Sequence, residues 1–383
     1  MTRLRNNVVA PGPIPQIRLY TDWLKDTRGQ TFGSYAELHG WSVEDPEGFW
    51  RSIWDYEGIA SPTKPTAILS TDAMPNARWF EGAQVNYAQH VFSHTAAAEA
   101  AGQPAIVAMD ERGQIMRIGW AELRRQVASL ALALRERGVA PGDRVAAYLP
   151  NIPAAVIGLL ACAAIGAVWT LCSPDMGTNA VLDRWRQTQP KVLIAVDGVF
   201  YAGKAMDRSA AVAAIREQLP AIEVVFLIAT GMGDQALAGT IDFAGATAGD
   251  DAAVADFTPE WLPFDHPLWI LYSSGTTGLP KAIVHGHGGV LLATAAGRMG
   301  SPTRSCHQGN LPPFSSAMLL RLAEPRLWSF ARDAIVRTSC FGRTSGFQAC
   351  TRNEACRFRR IADDRLQPAW RGSPRPEGEA TCV

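Results

Sequence analysis

Between residues 105 and 200 the apolar positions follow two alternating rhythms. PAIVAMD (104–110), RVAAYLP (144–150), AVWTLC (167–172) and KVLIAVD (191–197) are short apolar runs that read as strands. Trp120–Arg137 instead spaces Leu123, Val127, Leu130 and Leu134 at helical intervals, with Gly138 as the stop. Helical character recurs over 153–165 and 181–189, where Pro190 closes the second run. Strand character returns at Ile222–Ala229, Pro267–Tyr272 and Ala282–His285. Strands alternating with helices predict βαβ units and a mostly parallel sheet, an α/β fold. Residues 231–260, rich in Gly, Ala and Asp, read as surface loop, and no internal repeat is visible.

Two stretches depart from that rhythm. WSVEDPEGFWRSIWDY sets Phe49, Trp50, Ile53 and Trp54 on one helical face, with Pro46 and Glu47 at the start. It predicts a short amphipathic helix docked on something larger. Pro153–Cys172 is 20 residues without a charge, long enough to cross a bilayer. Gly166 interrupts it, so a buried helix running into a buried strand accounts for it better, and no membrane contact is expected.

Composition adds an asymmetry. The 383 residues, 47% hydrophobic and 19% charged, hold enough apolar material for a core and suit about two or three domains. Lys plus Arg equals Asp plus Glu at 36 each, which argues against a polyanion-coating protein, so no nucleic-acid partner is expected. Yet residues 301–383 hold 13 Arg, no Lys and 7 acidic residues, a net of +6, together with five of the seven Cys. Seven Cys in this length do not make a disulfide scaffold. The N-terminus has no apolar run of signal-peptide length, and a cytoplasmic location is expected.

The most informative segment is Leu271-Tyr-Ser-Ser-Gly-Thr-Thr-Gly-Leu-Pro-Lys281, followed by AIVHGHGGVLLATAAG. Gly275 and Gly278 let the backbone approach a phosphate and reach positive φ. Successive backbone N–H groups in such a loop form an anion nest. Ser273, Ser274, Thr276 and Thr277 add hydroxyl donors, and Lys281 supplies a point charge. The loop is not a Walker A motif, because Pro280 precedes the Lys and Ala282 follows it. No GxGxxG opens a helix here, so it is not a dinucleotide loop. An ordinary surface loop rarely sets two Gly, four hydroxyls and Pro-Lys between two apolar strands. His285 and His287 follow at strand or turn spacing, and two His alone make a weak metal site; no metal ligands are assigned.

At YSSGTTGLPK the chain resembles the phosphate loop of the acyl-adenylate-forming enzymes, which include the acyl-CoA synthetases. AIVHGHGGVLL is similar to the acetoacetyl-CoA synthetase branch, whereas acetyl-CoA synthetases usually carry Gly after the Lys. WFEGAQVNYAQH (79–90) and CSPDMGTNAVLDRWRQTQPKVLIAVDGV (172–199) agree, and the resemblance covers about residues 15–297. It implies a partial large N-terminal domain of mostly parallel sheets flanked by helices. The expected division is an aromatic-rich region (1–90), a partial AMP-binding domain (91–300) with its phosphate loop at 272–281, and an irregular tail (301–383). It implies ATP, Mg²⁺ and CoA as cofactors and acetoacetate or another short carboxylate as substrate. The carboxylate attacks the α-phosphate, pyrophosphate leaves, and the CoA thiol then displaces AMP. Ser273–Gly278 and Lys281 would hold the outer phosphates while charge builds on the leaving pyrophosphate. Lys204, in YAGK, stands where related synthetases place a basic residue that helps bind a CoA phosphate; a solvated surface Lys is the alternative.

Beyond about Gly297 the resemblance stops. The family's C-terminal catalytic Lys has no counterpart, since Lys281 is the last Lys, and no catalytic residue is assigned. An out-of-frame continuation explains the Arg, Cys and Pro bias of 301–383 better than a zinc module without a CxxC pair or a basic disordered tail; Ala317–Leu322 is its clearest helical run. The expectation is an acetoacetate–CoA ligase by ancestry, inactive for the full reaction as this chain stands. The alternative is a non-catalytic paralogue that binds a nucleotide or a partner.

Overall fold

The structure, a computed structural model, describes residues 16–71, 77–273, 278–299 and the pair 336–337. All belong to the compact unit that ends at Cys340. The N-terminal part holds helices α1 (Gln16–Arg28), α2 (Tyr35–Glu44) and α3 (Pro46–Glu57), strands β1 (Ala67–Thr71), β2 (Arg78–Glu81) and β3 (Gln84–Val85), and helices α4 (Tyr87–Ser93) and α5 (Thr95–Ala100). The predicted amphipathic helix is α3. Asp45 caps its start by accepting from Gly48 N–H, Pro46 occupies the first turn, and Gly58 ends it in the left-handed region. Its Trp54 stacks on Phe80 at 4.7 Å, and Phe80 stacks on Phe264 at 5.1 Å. One hydrophobic cluster runs from Tyr20 and Leu24 of α1 through these rings to the sheet.

Next come strands β4 (Ile106–Met109) and β5 (Ile115–Ile118), helix α6 (Trp120–Glu136), strand β6 (Arg144–Tyr148), helix α7 (Pro153–Ala164), strand β7 (Val168–Cys172), helix α8 (Thr178–Thr188) and strand β8 (Val192–Val196). Strands β9 (Gly198–Tyr201) and β10 (Lys204–Asp207), helix α9 (Ser209–Gln218), strands β11 (Val224–Ile228) and β12 (Ile241–Asp242), and helices α10 (Phe243–Ala246) and α11 (Ala252–Ala255) follow. Strands β13 (Leu262–Pro263), β14 (Pro267–Ser273) and β15 (Lys281–Gly286), helix α12 (His287–Met299) and the short strand β16 (Val336–Arg337) complete the order.

The main sheet has seven strands in the order β12-β11-β8-β6-β7-β14-β15. All its neighbours are parallel except the last pair, where β15 returns antiparallel on β14. This is the predicted α/β fold, with βαβ crossovers through α7 and α8. The uncharged stretch is indeed a buried helix entering a buried strand, and among the described residues no helix is long and apolar enough to cross a membrane. Ten of α7's twelve residues are buried, because α7 lies between the sheet and helices α4 and α6.

Two expectations are corrected. Residues 231–260 are not simply surface loop: β12, α10 and α11 lie there, and Phe243, Val254 and Phe257 are buried against the main core. The run 104–110 is a strand, but β4 pairs with β5 outside the main sheet. The predicted run Ala317–Leu322 lies outside the described residues.

Candidate functional site

The phosphate-loop segment is the connection of the β14–β15 hairpin. In the antiparallel register Ser273 faces Lys281 and Tyr272 faces Ala282, so the ladder closes with Ser273 and Lys281 as its last pair. Period-two alternation places both side chains on one face of the hairpin. Both are exposed. The seven intervening residues 274–280 therefore leave and return at one point, with a hydroxyl on one side and an ammonium on the other. Gly278 has φ +149°, a backbone state that L side chains rarely adopt, and nothing lies within 4 Å of where a Cβ would sit. The expected positive φ is present at Gly278. Ser274, Gly275, Thr276 and Thr277 lie outside the described residues.

Helix α8 supports this hairpin from below. Gln187 donates its side-chain N–H to the Pro280 carbonyl at 2.9 Å, one residue before Lys281. The Tyr272 hydroxyl donates to the Arg184 carbonyl at 3.1 Å and lies 3.4 Å from Thr188 Oγ1. The Arg184 guanidinium stands over the Tyr272 ring at 5.8 Å. Burial raises the Tyr272 phenol above its ordinary value, so it stays a neutral donor. The C-terminal carbonyls of α8 are themselves held from the sheet: Arg144 of β6 donates to Thr188 O at 2.8 Å and to Gln189 O at 3.0 Å. Arg144 thus fixes α8, and α8 fixes both ends of the hairpin loop. Sequence reasoning placed this helix but missed Gln187 and Tyr272, whose polar tips at the end of apolar runs were the available signal.

His287 is not part of the site surface. It is buried at the start of α12, where its Nδ1 accepts the Tyr87 N–H at 3.0 Å and fastens α12 to α4. Burial, with His266 nearby, lowers its pKa to about 3, so it is neutral. His285 lies on β15 with its ring 6.4 Å from that of Trp269. Among the described residues no three His, Cys, Asp or Glu side chains form a group that could hold a metal ion. Lys204 opens β10, opposite Tyr201, and is exposed on a different hairpin from Lys281.

The described part of the arrangement is a hairpin whose ladder ends on the Ser273–Lys281 pair, a hydroxyl beside an ammonium. The family described as AMP-binding enzyme matches residues 93–318. The chain belongs to the AMP-binding enzyme family. The N-terminal region described as acetyl-coenzyme A synthetase N-terminus matches residues 35–91 of this family member. It is similar to the acetoacetyl-coenzyme A synthetase of Rhizobium meliloti (strain 1021), with 40% identity over 277 residues, 71% of this chain and 41% of that protein. It is 37% identical to the acetoacetyl-CoA synthetase of Mus musculus over 274 residues, 69% of this chain and 40% of that protein. The solved acetoacetyl-CoA synthetase from Streptomyces lividans superposes with a TM-score of 0.69 at 46% identity, covering 73% of this chain and 43% of the other. This AMP-binding enzyme chain therefore spans about two-fifths of the length of the relatives it matches.

Proposed function

We propose that this chain carries the nucleotide-phosphate site of an acid–thiol ligase that joins acetoacetate to CoA at the expense of ATP. The observation that carries the reading is the hairpin that sets Ser273 against Lys281 across a loop with an open, positive-φ Gly278. Ser273, Ser274, Gly275, Thr276, Thr277 and Gly278 would present donors to the β- and γ-phosphates, and Lys281 would neutralise charge on the departing pyrophosphate. Mg²⁺ bound with the nucleotide would supply further charge neutralisation. Lys204 would meet a phosphate of CoA. The cytoplasm, where ATP and CoA are available, is the location this reading implies.

Similarity to two acetoacetyl-CoA synthetases supports acetoacetate as the carboxylate. Activity of this chain alone is a separate matter. No Lys occurs among residues 282–383 to act on the adenylate, and we infer that residues 1–383 by themselves bind ATP without completing the ligase reaction.

The test is equilibrium binding of MgATP and AMP to the chain and its Lys281→Ala variant. The expected result is that the substitution weakens ATP about tenfold and leaves AMP unchanged. Equal ATP binding by both proteins would remove Lys281 from the site. Acetoacetate-dependent ATP–pyrophosphate exchange is expected to be absent, and robust exchange or thioester formation would overturn the inactivity.

A further inference from the structure

The β9–β10 hairpin turns through only two residues, since Tyr201 pairs with Lys204. Both are in the positive-φ region, Ala202 at +51° and Gly203 at +78°. Such a turn matches the twist of a hairpin and is ordinarily built from Gly or Asn. Ala at the first position is strained, because its Cβ crowds the following carbonyl. The chain offsets that strain from another element. Glu111, in the β4–β5 turn, accepts the Ala202 N–H on Oε1 at 3.3 Å and the Gly203 N–H on Oε2 at 3.2 Å.

A second contact reaches the same hairpin from the same turn. The Arg112 guanidinium lies over the Phe200 ring, 4.3 Å from its centroid. The turn is itself rigid, because Asp110 Oδ1 accepts the N–H groups of Arg112 at 2.9 Å and Gln114 at 2.8 Å. Phe200 pairs with Ala205 on one face of the hairpin, while Tyr201 pairs with Lys204 on the other. The cation–π contact therefore grips the Phe200 face, and Lys204 lies on the opposite face. Lys204 is exposed there and enters no ion pair among the described residues.

We propose that Glu111 is a positioning residue that holds the Ala202–Gly203 turn, so that the free ammonium of Lys204 is presented to the phosphate monoester of CoA. The proposal rests on the reading of Lys204 given above. The monoester is the matching group because, near neutral pH, it carries close to two charges on one phosphorus. Glu111 touches no ligand in this account; it acts through the backbone that carries Lys204.

The test titrates the full chain with CoA and with dephospho-CoA, which lacks the monoester. The wild-type chain is expected to prefer CoA about fivefold, and Lys204→Ala to erase that preference. Glu111→Ala is expected to erase most of it and leave dephospho-CoA affinity unchanged. Removing a carboxylate by itself would strengthen anion binding, so the expected weakening runs against the simple charge effect. Adding Ala202→Gly to Glu111→Ala is expected to restore the preference, because Gly takes up positive φ without strain. Retention of the preference in Glu111→Ala, or failure of Ala202→Gly to restore it, overturns the role of Glu111 and leaves Lys204 standing. A wild-type chain that binds both compounds equally, or a Lys204→Ala chain that keeps the preference, overturns the Lys204 reading and the role of Glu111 with it.

Discussion

The imidazole of His287 is sealed at the first turn of α12, and one hydrogen bond decides its tautomer. Because Nδ1 accepts the Tyr87 N–H, the proton sits on Nε2, which is buried without a partner among the described residues. Protonating Nδ1 would break the bond to Tyr87 and place a charge in a dry site. The folded pKa, about 3, is therefore depressed from an ordinary value near 6.5. A depressed base binds fewer protons folded than unfolded, so stability is full above about pH 6.5 and is lost as the pH falls toward 3. His287→Asn keeps an acceptor where Nδ1 stands and removes the titration. Chemical denaturation between pH 5 and 6.5 is expected to show a slope shallower by up to about 1.4 kcal/mol per pH unit in the variant. An unchanged slope would mean that His287 ionises freely in the folded chain.

At the scale of elements, the seat of α7 on the sheet depends on a missing side chain. A Cβ on Gly158 would lie 2.6 Å from Cη2 of Trp169, and Trp169 is held on β7 between β6 and β14. Gly158→Ala gains about 1 kcal/mol of helix propensity, but overpacking costs about 1–3 kcal/mol, so the net effect is expected to be a loss. In a Trp169→Leu background the clash is gone, and the same substitution is expected to stabilise. Thermal melts of the four proteins check this reversal of sign, and a stabilising Gly158→Ala in the wild-type chain would show that the ring yields. This packing helix was legible because its apolar run is long and ends at a glycine. The 243–257 region was not: α10 and α11 have four residues each, too few to show a period, and Phe243, Val254 and Phe257 are isolated anchors in Ala- and Gly-rich text. A short apolar run marked β4 as a strand but carries no information about which sheet receives it. In the candidate site, the Gly, hydroxyl and Lys content was local and readable. Gln187 meets that loop at a sequence separation of 93, and Arg144 reaches it only through α8, at a separation of 44 from Thr188. Glu111 stayed invisible for the same reason, lying 91 residues from the turn it holds.

At the scale of the whole molecule, one margin of the main sheet behaves unlike the rest. Among the described residues β15 is an edge strand, antiparallel to β14, and its outer backbone groups face no neighbouring strand. Ile283 and Val284 on β15 are 43% and 57% exposed, and Leu279 in the preceding loop is 63% exposed. Ile283 faces Leu271 across the ladder, which is itself 40% exposed, so the apolar surface is contiguous over both strands. A flat apolar edge with free hydrogen-bonding groups is a template for pairing with another strand, and natural edges are usually blunted by charge. Here the nearest charge is Lys281, two residues before Ile283, which leaves the middle of the strand unprotected. The chain is therefore expected to self-associate with rising concentration through β15, burying Ile283 and Leu271 together. Ile283→Lys puts a charge at the centre of the patch while leaving Lys281 and the loop intact. Sedimentation velocity is expected to show concentration-dependent species for the wild-type chain and fewer of them for the variant, with MgATP binding unchanged. A wild-type chain that stays monomeric at high concentration would mean that this edge is covered, and substitutions at Ile283 would then lower stability rather than raise solubility.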